Sequence, residues 1–186
     1  MIRFENVTKS FEHKVIDDLS FEIKNGERFG IFGISGIGKT TLINLILGLE
    51  KADSGSIYKD FSKVSVIFQE DRLIDEISAF DNLKIVNHNS SLIKDTLGVL
   101  NIEDLKTPIS KFSGGMKRRV AIARALIFDG DILIMDEPFA GIDDENKNIA
   151  IDLIKEKFAE KTIILVSHNK GDMAKFDIPL ENVLYL

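Results

Sequence analysis

The chain has 186 residues, 44% of them apolar, which suits one domain with a substantial buried core and excludes an intrinsically disordered polymer. Its 24 Lys and Arg against 30 Asp and Glu leave a formal charge of −6, an unfavourable balance for a protein whose main work is gripping nucleic acid. With no cysteine, a disulfide scaffold, a thiolate zinc site and a cysteine nucleophile are all excluded.

In chain order, Met1-Ile2-Arg3-Phe4-Glu5 lacks the layout of a secretory leader. No uncharged apolar run approaches the roughly 20 residues needed to span a bilayer. A cytosolic location is expected, with membrane contact only through a partner. Arg3–Val7 and Leu19–Lys24 read as edge strands, followed by Asn25-Gly26 as a hairpin turn. Four short runs are nearly all apolar: Phe29–Phe32, Val64–Phe68, Ile132–Met135 and Ile163–Val166. Such runs suit strands covered on both faces in a mostly parallel sheet.

Gly33-Ile34-Ser35-Gly36-Ile37-Gly38-Lys39-Thr40 fits the phosphate-loop pattern G-x-x-x-x-G-K-[ST]. An apolar strand precedes it, and the striped helix Lys39–Leu49 follows. Small residues let backbone N–H groups turn inward around phosphate oxygens, and the helix N-terminus adds partial positive charge. Lys39 reaches the outer phosphates, and the Thr40 hydroxyl is a ligand for Mg2+.

Residues 71–112 are more polar and loop-broken, and read as a small, mostly helical insertion. Ser113 is a good N-cap for a helix over Gly114–Phe128. Lys111, Lys117, Arg118, Arg119 and Arg124 make that segment basic, and read as a solvated face rather than a nucleic-acid patch. The strand Ile132–Met135 then ends in Asp136-Glu137-Pro138. A carboxylate at a strand's C-terminal end sits where α/β sheets bind ligands, so Asp136 suits a metal and Glu137 suits an attacking water. Pro138 should hold Glu137 in extended backbone. Asp143, Asp144 and Glu145 open a helix reaching Ala159, matching the positive end of its dipole.

Together with Phe112-Ser113-Gly114-Gly115-Met116 and with His168 beyond the strand Ile163–Val166, these motifs resemble the ATP-binding cassette (ABC) ATPases over nearly the whole chain. The resemblance implies an α/β fold: a P-loop NTPase core (1–70 and 113–186) with a mostly parallel sheet, an antiparallel β flank, and a helical subdomain at 71–112. It implies MgATP as ligand and a head-to-tail homodimer, with a transmembrane permease as partner and no nucleic acid.

Residue by residue, Phe11 stands where the family stacks an aromatic on adenine. Gly33, Ser35, Gly36, Gly38, Lys39, Thr40 and Thr41 belong to the Walker A loop. Gln69 matches the Q-loop glutamine that contacts Mg2+ or water. Ser113, Gly114 and Gly115 match the signature that closes on the other subunit's ATP. Asp136 matches the Walker B aspartate, Glu137 the catalytic glutamate, Asp143 the D-loop aspartate and His168 the switch histidine.

Val66-Ile67-Phe68-Gln69-Glu70-Asp71-Arg72-Leu73 resembles the nitrate, sulfonate and taurine importer branch, which implies a bacterial importer held at the inner face of the cell membrane. Met116 and Ala140-Gly141-Ile142-Asp143 depart from the usual signature and D-loop. Only 44 residues separate Gln69 from Ser113, short for the family. Two rivals are weighed. One is an ABC ATPase without a membrane partner. The other is a GTPase, suggested by Asn169-Lys170-Gly171-Asp172 (N-K-x-D) and Asp95-Thr96-Leu97-Gly98.

Overall fold

Alternation inside the apolar strands decides the layering. In the computed structural model, which describes all 186 residues, five strands form one sheet: β3 (Arg28–Phe32), β5 (Val64–Ile67), β6 (Ile132–Asp136), β7 (Thr162–Ser167) and β8 (Val183–Tyr185). Their spatial order is β5-β6-β7-β3-β8, and every pair is parallel. Ile132, Ile134, Ile164 and Val166 pack on one side of this sheet. Leu133, Met135, Ile163 and Leu165 pack on the other. Successive side chains of a strand point to opposite faces, so a continuous apolar run feeds two cores at once.

One face is covered by α1 (Lys39–Leu47) and by a three-stranded antiparallel sheet. That sheet runs in the order β2 (Lys14–Ile23), β1 (Ile2–Ser10), β4 (Ser54–Lys59). The other face is covered by α4 (Gly114–Phe128), α5 (Asp144–Lys157) and α6 (Lys170–Lys175). The short helices α2 (Ala79–Lys84) and α3 (Ser90–Val99) pack on α4, with Leu83, Ile93 and Leu97 fully buried. Ser78 caps α2 by accepting from the Asp81 N–H, and Asn89 caps α3 by accepting from Ser91 and Leu92. The fold is the expected α/β architecture, parallel sheet with antiparallel flank.

Several expectations need correcting. Asn25-Gly26 is not a hairpin turn. The hairpin is β1–β2, turned at residues 11–13, whereas Asn25-Gly26 passes the chain from one sheet to the other. The crossing is pinned by the Gly26 N–H, which donates to Thr162 Oγ1 at 2.9 Å. β2 already has β1 as its partner, so β3 pairs with β7 and β8 instead. The stretch 71–112 holds only two short helices and a 3-10 turn (Ile109–Lys111), joined by loops. Strands β4 and β8 were not expected. Ser54-Gly55-Ser56 and the three residues Val183–Tyr185 carry too little apolar pattern to mark a strand.

Candidate active site

Four strand ends converge at the C-terminal edge of the parallel sheet. β3 runs into the Gly33–Thr40 loop, β5 into Gln69, β6 into Asp136-Glu137, and β7 into Ser167-His168. β7 lies between β3 and β6, so the strands that lead into the phosphate loop and into the two carboxylates are two strand spacings apart, about 9.6 Å. The gap forms a cleft of about 250 Å³ lined by Val15, Ser35, Gly36, Gly38, Lys39, Thr40, Thr41, Gln69, Asp136 and Glu137.

The loop conformation follows from its small residues. Gly36 and Gly38 have φ of 82° and 113°, a region that disfavours any side chain. A Cβ on Gly38 would also lie 2.7 Å from Val15 Cγ1, so β2 closes the loop from behind. Sequence reasoning missed Val15 as a lining residue; an apolar strand position carries no chemical signal. The Lys39 ammonium is buried and donates to Gly33 O at 2.8 Å and Ile34 O at 3.0 Å, which holds the loop closed around its own charge.

Asp136 is 4% exposed and accepts from Thr40 Oγ1 at 3.2 Å. Burial pushes its carboxyl above the usual carboxylate range. The Thr40 hydroxyl opposes the rise, the nearby Glu137 adds to it, and the Lys39 and Arg118 charges pull against it. Those two charges act on the carboxylate without forming an ion pair with it. Thr40 Oγ1 and Asp136 are in contact and Gln69 lines the same cleft; hydroxyl, carboxylate and amide are the hard oxygen donors Mg2+ takes beside phosphates, so the residues present fit that ion.

Glu137 has φ 46°, so Pro138 does not hold it extended as expected. Its N–H donates to Val166 O at 3.0 Å, continuing the β6–β7 ladder one residue past the strand. The left-handed turn that follows carries the side chain across to His168. There Glu137 Oε1 accepts from the His168 backbone N–H at 3.0 Å and lies 2.7 Å from Nδ1.

The remaining sequence-selected residues lie off the cleft lining. Phe11 is an exposed ring in the β1–β2 turn, with the Lys9 ammonium 5.1 Å from its centroid. Ser113 caps α4 by accepting from the Met116 N–H at 3.3 Å. Gly114 is open to solvent, and a Cβ on Gly115 would come 2.8 Å from Gly141 O. Asp143 caps α5 through Asn146, whose donated hydrogen bonds hold its carboxyl below the usual range.

The basic segment is not the solvated face expected. Arg118 is buried, and Arg118, Arg119 and Arg124 donate to backbone carbonyls of residues 68–72 and 100–101. Lys117 pairs with Asp75 at 2.9 Å. Loops without ladder partners need donors, and arginine supplies them in a fixed fork. The N-K-x-D run is structural too. Asn169 caps α6, and Asp172 is buried with its carboxylate paired to Lys147 at 2.5 Å.

No helix is long and apolar enough to cross a membrane. The sequence pattern of the ABC transporter family matches residues 16–140. The ABC transporter ATP-binding protein YybJ of Bacillus subtilis is 36% identical over 97% of this chain and 92% of its own length. The glucose import ATP-binding protein GlcV of Saccharolobus solfataricus is 34% identical over 91% of this chain, which spans only 56% of GlcV. Among solved structures, a dimeric post-hydrolysis state of the ATP-binding cassette MJ0796 bound to ADP and Pi superimposes with a TM-score of 0.85 at 25% identity. It covers 100% of this chain and 94% of that one. The chain therefore belongs to the ABC transporter family, as an ATPase domain whose ligands are ATP and Mg2+.

Proposed function

We propose that this chain is the ATP-hydrolysing subunit of a bacterial importer of a small solute, working as a head-to-tail pair beneath a transmembrane permease. One observation carries the pairing. Lys39, Thr40, Gln69, Asp136 and Glu137 share a single cleft, while Ser113, Gly114 and Gly115 lie outside its lining, with Gly115 close against Gly141. A helix start with free N–H groups attracts an anion, and its own chain's cleft is out of reach. A second copy, inverted, brings that turn to the phosphates.

The roles then follow from chemistry. The N–H groups of Gly33, Ser35, Gly36 and Gly38 embrace the phosphate chain, continuing into Lys39, Thr40 and Thr41. Thr40, Gln69 and Asp136 hold Mg2+, which supplies charge neutralisation on the phosphate oxygens. Glu137 accepts the proton of the attacking water. His168 keeps that carboxylate aimed and faces the γ-phosphate. Phe11 stacks beneath adenine, and Asp143 meets the partner copy.

A permease contact is supported by an apolar groove of about 200 Å³ beside the outer strand β5, lined by Val64, Val66, Phe68, Val86 and Phe128. It borders the stretch 71–112, which would pass motion to the membrane and hold the chain at its inner face. Import rather than export rests on the resemblance of Val66–Leu73 to importer ATPases. The test is purification in mild detergent from the native host. Co-purification with an integral membrane protein and a solute-binding protein is expected. Recovery of active enzyme with neither removes the transport reading and leaves an ABC ATPase without a membrane partner.

A further inference from the structure

Beyond Ile67 the chain leaves the edge of the sheet, because β5 is the outer strand and its ladder ends at the Ile67–Met135 pair. Four carbonyls of this departing segment, those of Phe68, Gln69, Asp71 and Arg72, are nevertheless satisfied, and from one helix. Arg118 of α4 donates from Nη1 to Phe68 O at 2.6 Å and from Nη2 to Gln69 O, while its Nε lies 3.3 Å from Asp71 Oδ1. Further along α4, Arg124 donates to Asp71 O at 3.0 Å and Arg72 O at 2.6 Å. Arg118 is 5% exposed. Burying a guanidinium is tolerable only when its donors and its charge are met: two of its edges are hydrogen-bonded to carbonyls, and the third faces the Asp71 carboxylate as an ion pair.

Arg124 would be enough to anchor the segment as a structural loop. Arg118 alone reaches Gln69, the residue at the cleft. The same helix begins at Ser113–Gly115, and the five residues from Ser113 to Arg118 span about 7.5 Å of helix axis. A rigid element of that length carries any displacement of its N-terminus directly to the Gln69 carbonyl.

We propose that Arg118 is a positioning residue: it fastens Gln69 to the helix whose N-terminus closes on the partner copy's nucleotide, so that occupancy of one cleft sets Gln69 in the other. This rests on the pairing and the Gln69 role proposed above. A guanidinium spans two consecutive carbonyls as one planar fork, which an ammonium cannot.

The test measures ATP hydrolysis against ATP concentration, and Mg2+-dependent binding of a fluorescent ATP analogue, on the full chain. Wild type should be sigmoidal. Arg118→Gln should lower kcat about tenfold and turn the curve hyperbolic while leaving analogue affinity within about twofold, the pattern of a misplaced group rather than a lost binding contact. Arg118→Lys should fall between, since it keeps a cation opposite Asp71, and it carries the same comparison if Arg118→Gln does not fold.

A double-mutant cycle separates positioning from mere support. Once Gln69→Ala is present, Arg118→Gln should remove nothing further from kcat. Equal losses on both backgrounds, or sigmoidal kinetics retained without Arg118, overturn the inference. So does a hyperbolic wild type. Unchanged turnover in Gln69→Ala alone is a different result: it rejects the role given to Gln69 itself.

Discussion

Glu137 and His168 are joined twice through one oxygen. Glu137 Oε1 receives the His168 backbone N–H at 3.0 Å and sits 2.7 Å from the ring Nδ1. The carboxylate side chain is mostly covered, whereas the imidazole is 67% exposed, so a protected base is steered by a ring that solvent and ligand both reach.

This arrangement predicts a split between binding and turnover. Glu137→Gln should leave ATP binding intact, lower hydrolysis roughly 10²–10⁴-fold, and accumulate an ATP-bound dimer. His168→Ala should also slow turnover but by less, because the backbone N–H still holds Oε1. Single-turnover hydrolysis with gel filtration checks both. Wild-type turnover in Glu137→Gln removes that residue as the base.

Asp136 predicts a pH dependence whose sign is fixed by its burial. Its folded-state carboxyl is raised, so the fold without ligand binds a proton more readily than the unfolded chain does. Its contribution to stability is therefore greatest at acid pH and is lost as pH rises through the folded value. Asp136→Asn should raise the ligand-free Tm at pH 7 by roughly 2–4 °C, an advantage that shrinks toward acid pH. The same variant should lose Mg2+-dependent ATP binding. Thermal melts across pH 4–8, with titration of Mg2+ and ATP, measure both effects; a lower Tm at neutral pH contradicts the burial argument.

Gly115 predicts a steric lesion. The Gly141 carbonyl lies 2.8 Å from where a Cβ would stand, and a backbone oxygen has no flexible end to yield. Gly115→Ala should displace the 140–142 loop, cost about 1–3 kcal/mol and reduce turnover with ATP affinity retained. Gly114→Ala, which meets no neighbour, is the control. Denaturant melts and ATPase rates compare the two.

Asp172 predicts nucleotide tolerance. Its carboxylate is occupied by Lys147 at 2.5 Å and by the Ser167 hydroxyl at 3.4 Å. Asp172→Ala should therefore destabilise the fold by about 1–3 kcal/mol, the cost of leaving the partly covered Lys147 charge without its partner, with no change in the ratio of ATP to GTP affinity. Competition of both nucleotides for a fluorescent analogue checks this. Selective loss of GTP binding would place Asp172 at a base.

Short-range signals were legible where the chemistry is local. The phosphate loop needs glycines at positive φ and a lysine at a helix start, and Gly36, Gly38 and Lys39 declare that in eight consecutive residues. Ser113 as a cap and the four apolar strands rest on equally short patterns. Long-range relationships left no such mark. The N-G dipeptide at 25–26 looks like a hairpin because turn chemistry is local, yet which strand pairs with β3 depends on partners 135 residues away. The arginines of α4 looked solvated because a sequence does not show which carbonyls lie within reach.

The amino-acid order alone determined that this chain has a phosphate loop, an acidic strand end, a capped signature helix and two apolar faces per strand. Periodicity, glycine content and charge are properties of neighbours along the chain. The meeting of Glu137 with His168, Thr40 with Asp136 and Arg118 with Gln69 was decided only by the tertiary structure. Those contacts join separate strand ends and helices, and it is the sheet order β5-β6-β7-β3-β8 that sets them side by side.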